Sequence, residues 1–191
     1  MSDKLFGAIK TGDVESVRQM LAAGADVDSR DGEGATPLMT ASHSGNLPMV
    51  RLLIEAGAEI NASDERGWTA LMKAAYNAEH DRGFADIAQL LINAGADIEA
   101  PIGYGVRPLM LAAGYGETAV VETLLRAGAD VKARNNGGLT ALMMVKQKHY
   151  VDVINVLHEA EQEAGVGEGS CSSKNEPGSQ VVTFLKPVSK S

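Results

Sequence analysis

The sequence has a single cysteine, Cys171, so no disulfide can form within the chain. That usage suits a reducing compartment. Aromatic residues are scarce at 4%, which favours closely packed short helices over a sandwich with a large aromatic core. No apolar run approaches the ~18 residues that a membrane span needs. The opening Met1-Ser2-Asp3-Lys4-Leu5-Phe6 lacks a basic start followed by an apolar stretch, the pattern of a secretory signal. Positive charge is also in short supply, with 17 Lys and Arg against 25 Asp and Glu and a net charge of -8. A phosphate-backbone binder needs a basic stripe, so nucleic acid is not an expected partner. A soluble, cytoplasmic monomer with a basic partner is the expectation.

The residues of common reaction centres are missing too. His43, His80, His149 and His158 do not pair with each other or with Cys171 at metal-ligand spacing. No glycine-rich stretch ends in Lys-Ser or Lys-Thr, as a phosphate loop would, and Gly103-Tyr104-Gly105 reads as a turn. No serine sits in a nucleophile elbow. Neither enzyme activity, cofactor nor metal is expected.

What is present is repetition. Thr36-Pro37-Leu38-Met39 recurs as Thr69-Ala70-Leu71-Met72, Arg107-Pro108-Leu109-Met110 and Thr140-Ala141-Leu142-Met143, at steps of 33, 38 and 33 residues. Ala23-Gly24-Ala25-Asp26 recurs in the same phase as Ala56-Gly57-Ala58-Glu59, Ala94-Gly95-Ala96-Asp97 and Ala127-Gly128-Ala129-Asp130. Two markers with one spacing exclude coincidence. Within one unit, Thr36 can cap a helix and Pro37 suits its first position. Leu38 and Ala41 fall on one face, and Gly45-Asn46 interrupts. Met49, Val50, Leu53 and Ile54 then mark a second helix, and Gly57 suits its left-handed end. Asp31-Gly32-Glu33-Gly34 is a turn cluster. One helix pair cannot bury its own apolar face, so the units must stack.

Asp64-Glu65-Arg66-Gly67-Trp68-Thr69-Ala70-Leu71-Met72, Ala74-Ala75, Leu90-Leu91 and Gly95-Ala96-Asp97 closely resemble the ankyrin repeat pattern. The resemblance runs from about residue 5 to about residue 160. It implies an all-α ankyrin-repeat solenoid of helix-turn-helix pairs with protruding β-turn fingers. About five units are expected: a cap at 1–30, then 31–63, 64–101, 102–134, and a cap at 135–164. Residues 165–191 have the composition of a flexible tail, with an apolar patch at Val181-Val182-Thr183-Phe184-Leu185. The family's usual histidine after Leu is methionine in all four full units: Met39, Met72, Met110 and Met143. The 38-residue step adds five residues between Tyr76 and Ile87, a tolerated insertion or a projecting contact element.

The resemblance also implies a function: binding a protein or peptide through the concave face and the turn tips. A regulatory subunit or inhibitor acting by the same surface is the alternative, and an enzyme is the least favoured class. The family's variable positions correspond here to Glu33, His43, Glu65, Arg66, Trp68, Tyr76 and Asn77 in the second and third units. Tyr104, Val106, Tyr115, Leu139, Gln147 and Lys148 correspond in the fourth and fifth. The lone Trp and three of the four Tyr fall in this set, although Leu, Ala, Val and Ile suffice for the interior. Aromatics dominate binding hot spots, so Trp68, Tyr76, Tyr104 and Tyr115 are expected to form one contiguous patch.

Overall fold

The computed structural model describes residues 2–76 and 83–166. Asn77, His80 and most of the five-residue insertion lie outside the described residues, as does the tail from residue 167.

Local chemistry sets each helix pair. Thr36 Oγ1 accepts the Met39 N–H at 3.3 Å, and the Met39 sulfur in turn receives the Thr36 N–H at 3.5 Å. With Pro37 at its first turn, this opens helix α3, Pro37–His43. Gly45 turns the chain at φ 71°. Asn46 Oδ1 then caps Met49 N–H at 3.0 Å and starts α4, Leu47–Glu55. Gly57, at φ 86°, follows the end of α4 in the left-handed region.

The same pair recurs. It is preceded by α1, Ser2–Thr11, and α2, Val14–Ala22. It is followed by α5, Ala70–Ala75, with α6, Ala85–Asn93, and by α7, Pro108–Tyr115, with α8, Thr118–Arg126. The last pair is α9, Ala141–Val145, and α10, Val151–Val166. Helix α10 thus continues two residues beyond Ala164, whose carbonyl accepts the Lys132 ammonium at 3.1 Å.

The pairs stack in two layers. Helices α1, α3, α5, α7 and α9 pack in sequence as one layer, and α2, α4, α6, α8 and α10 pack as the other. Leu38, Leu71, Leu109 and Leu142 repeat in the interior of the first layer, with Leu53, Leu91, Leu124 and Leu157 in the second, all buried. Each such leucine contributes about 1.5–3 kcal/mol by leaving water. Met39, Met72 and Met110 are buried as well, but Met143 is 43% exposed because no further unit follows it among the described residues. Apolar packing therefore accounts for three of the four methionines.

Adjacent units are latched at one repeated phase. Asp28 Oδ1 accepts the Glu59 N–H, Asn61 Oδ1 the Asp97 N–H and Glu99 Oε1 the Asp130 N–H, each at 2.8 Å. A second recurring contact sits at the turn between the two helices. At three places the residue preceding a second helix lies on the mid-unit glycine of the unit before it. A Cβ on Gly45 would fall 2.4 Å from the Phe84 ring, one on Gly116 2.9 Å from the Tyr150 ring, and one on Gly12 3.1 Å from Asn46 Nδ2.

Candidate partner-binding surface

The fingers are built by side chains that close their own turns. Asp31 Oδ1 accepts the N–H groups of Glu33 and Ala35, both at 2.9 Å. Asp64 Oδ1 does the same for Arg66 at 3.0 Å and Trp68 at 2.9 Å, and Asn135 Oδ1 for Gly137 at 2.9 Å and Leu139 at 3.0 Å. Glu33, Glu65, Arg66 and Leu139 are thereby held at exposed finger positions. Arg30 ties two fingers together by donating to the carbonyls of Gly34 at 2.8 Å and Ser63 at 2.7 Å.

The fourth unit lacks this lock, because Ile102 stands where the others have Asp or Asn. Its turn runs through two left-handed residues, Tyr104 at φ 61° and Gly105 at φ 70°. Tyr104 is the one non-glycine residue with positive φ among the described residues. That conformation costs about 1–2 kcal/mol for a residue with a Cβ. The Tyr104 carbonyl accepts the Asn136 N–H of the next finger at 2.9 Å, while the side chain is 82% exposed. Val106, at the base of the turn, is half-buried and bridges Ile102.

The four aromatics sit in three local arrangements. Tyr76 and Tyr115 stack, with ring centroids 3.5 Å apart and planes 5° from parallel. Tyr76 leaves helical geometry, at φ -153° and ψ 136°, whereas Tyr115 closes α7. Trp68 is half-buried, with the Lys73 ammonium 5.3 Å from its ring centroid. Tyr104 sits at its finger tip, and no ring contact joins it to the other three among the described residues.

One finger carboxylate is not at a solvated surface. Asp64 is buried, and its Oδ2 pairs with Lys73 Nζ at 2.9 Å. Burial pushes its pKa up, but the Lys73 hydrogen bond and charge and the Trp68 and Arg66 N–H groups outweigh it and hold the carboxyl below its ordinary value. Lys73 was legible only as an oddity: Thr40, Leu111 and Met144 occupy its place in the other full units.

Two clefts mark the face made by the fingers and first helices. One, of about 490 Å³, lies between the first and third units and is lined by Lys10, Asp31, Glu33, Thr40, His43 and Lys73. The other, about 250 Å³, is more apolar and brings together Val106, Met110, Tyr115, Met144 and Lys148. Lys148 donates to the Gly114 carbonyl and lies over Tyr150, 5.6 Å from the ring centroid. Gln147 is exposed beside it. Of the anticipated residues, Glu33 and His43 meet at the first cleft, and Val106, Tyr115 and Lys148 at the second. Thr40 and Lys73 were absent from the anticipated set.

No group of three or more His, Cys, Asp or Glu side chains could hold a metal ion among the described residues. No helix among them is long and apolar enough to cross a membrane. No curated protein matches the sequence. A family model described as ankyrin repeats (3 copies) matches residues 5–102 and 81–168. Ankyrin repeats are in general protein-interaction modules rather than enzymes. The paired helices, the fingers and these matches lead to one conclusion: the chain belongs to the ankyrin repeat family.

Proposed function

We propose that this chain binds a protein partner along the face built from its fingers and first helices, as a cytoplasmic monomer without a cofactor. The observation that carries the reading is the aromatic placement. Tyr104 is 82% and Tyr115 43% exposed, although the interior is filled by Leu, Val, Ile, Met and Ala. Large exposed aromatics with few rotatable bonds lose little entropy on binding and bury much area. The stack on Tyr76 fixes the Tyr115 ring, and the backbone of the 103–105 turn fixes the base of Tyr104. Both are prepared to meet a partner without reorganisation. The cleft of Val106, Met110 and Met144 beside Tyr115 suits an apolar partner side chain. The exposed Glu33 and Glu65 suit basic groups near the fingers.

The test is capture from a lysate of the native host, with wild-type protein and with Tyr104→Ala and Tyr115→Ala as baits. Arg18→Ala, on α2 in the other helix layer, serves as the control. Partners retained by the wild type and the control but lost by both aromatic variants support the reading. Equal capture by all four baits contradicts it.

A further inference from the structure

The finger of the last unit contains the sequence's only Asn-Gly pair, Asn136-Gly137, and both residues are exposed. Such a pair carries its own electrophile and nucleophile. The Gly137 nitrogen can attack Asn136 Cγ, forming an N–Cγ bond. The Cγ–Nδ2 bond then breaks, and ammonia leaves with the proton released from the Gly137 nitrogen. The product is a cyclic succinimide, which water opens at either carbonyl to aspartate or to an iso-aspartyl linkage. Glycine favours the attack because it has no Cβ to crowd the nitrogen.

Both reacting groups are held in this fold. The Gly137 N–H donates to Asn135 Oδ1 at 2.9 Å, so the nucleophile is engaged. The Asn136 carboxamide is seated on Gly105 of the preceding finger, so closely that a Cβ there would lie 2.6 Å from Oδ1. The Asn136 N–H is fixed to the Tyr104 carbonyl at 2.9 Å. We propose that Asn136-Gly137 is a self-modification site that forms a succinimide, and that the Asn135 side chain holds it closed while the last finger is docked. The consequence reaches the neighbouring finger. An iso-aspartyl link adds a methylene to the main chain and a negative charge beside Tyr104, breaking the register of the Asn136–Tyr104 hydrogen bond.

The test follows conversion at residue 136 by peptide-mapping mass spectrometry at neutral to mildly alkaline pH. The samples are the full chain, a free peptide spanning residues 133–141, and the variants Asn135→Ala and Asn135→Asp. The folded wild type is expected to convert at least about tenfold more slowly than the peptide, because reaction awaits local opening. Asn135→Ala is expected to convert markedly faster than the wild type, with conversion confined to residue 136. Asn135→Asp, which keeps the acceptor oxygen, is expected to stay near the wild-type rate. Circular dichroism reports whether the variants remain folded. If Asn135→Ala unfolds, the wild type, the Asp variant and the peptide decide between them. Conversion of folded wild type at the peptide's rate overturns the proposal, as does a folded Asn135→Ala that converts no faster than wild type.

Discussion

Asp64 does two jobs with one carboxylate. Oδ1 closes the finger through two backbone N–H groups, and Oδ2 pairs with Lys73 beneath the Trp68 ring. Asp64→Asn keeps an acceptor for the finger and loses the charge, so it is expected to cost about 1–2 kcal/mol of stability at neutral pH. Asp64→Ala, which leaves Lys73 and both N–H groups without their partner, is expected to cost more. Because the folded-state pKa of Asp64 is depressed, its stabilisation is present above the unfolded-state value of about 3.9 and is lost as pH falls through the lower folded value. Urea unfolding at several pH values checks this. The gap between wild type and Asp64→Asn should hold from neutral pH to about pH 5 and close below the ordinary aspartate range. Tyr104 offers the opposite sign. Tyr104→Gly relieves the left-handed strain and is expected to leave stability unchanged or raise it by up to about 1 kcal/mol, while removing the exposed ring. A large loss of stability on thermal unfolding would mean that the ring packs against the fold.

At the scale of the element, the recurring glycines separate into two kinds. Gly57 at φ 86° has nothing within 4 Å of a prospective Cβ, so its alanine variant meets only backbone strain. Gly45 at φ 71° meets the same strain and the Phe84 ring at 2.4 Å as well. Gly57→Ala is expected to cost about 1 kcal/mol, and Gly45→Ala about 2–4 kcal/mol. Phe84→Ala should rescue part of the second loss in a double-mutant cycle, and additivity in that cycle would refute direct packing. The helix starts and ends were legible in the sequence because Thr36, Thr69 and Thr140 cap through local oxygens and Gly57 terminates through its own φ. What Gly45 and Gly116 receive was not legible, since Phe84 and Tyr150 arrive from the following unit. The burial of Asp64 was hidden for another reason: its cation, Lys73, belongs to the same unit but sits on the helix against which the finger folds. The left-handed turn at Tyr104 had a signal in Ile102, which offers no side-chain oxygen to close the turn.

Across the whole molecule, stability grows by stacking, so the ends carry special weight. Helices α9 and α10 cover the side of α7 and α8 that buries Leu124 and Val121. Cutting before Asn135 is therefore expected to yield an aggregating or partly unfolded protein, and a soluble monomer with proportionate helicity would contradict the capping role. The exposed Met143 and the long helix α10 are the marks of that end. The array itself was readable from its period, because each unit repeats one local solution. The site was readable only as a set of positions: the phase put Tyr76 and Tyr115 in neighbouring units, but did not reveal that they would stack. The central claim is that these aromatics face a partner rather than support the fold. The most direct measurement is to titrate a captured partner against Tyr104→Ala and Tyr115→Ala while recording thermal unfolding of the same samples. The account predicts affinity losses on the order of 2 kcal/mol for a hot-spot residue, with Tyr104→Ala melting near the wild type. Unchanged affinity with a sharply lowered melting temperature would show that the rings are structural and would contradict it.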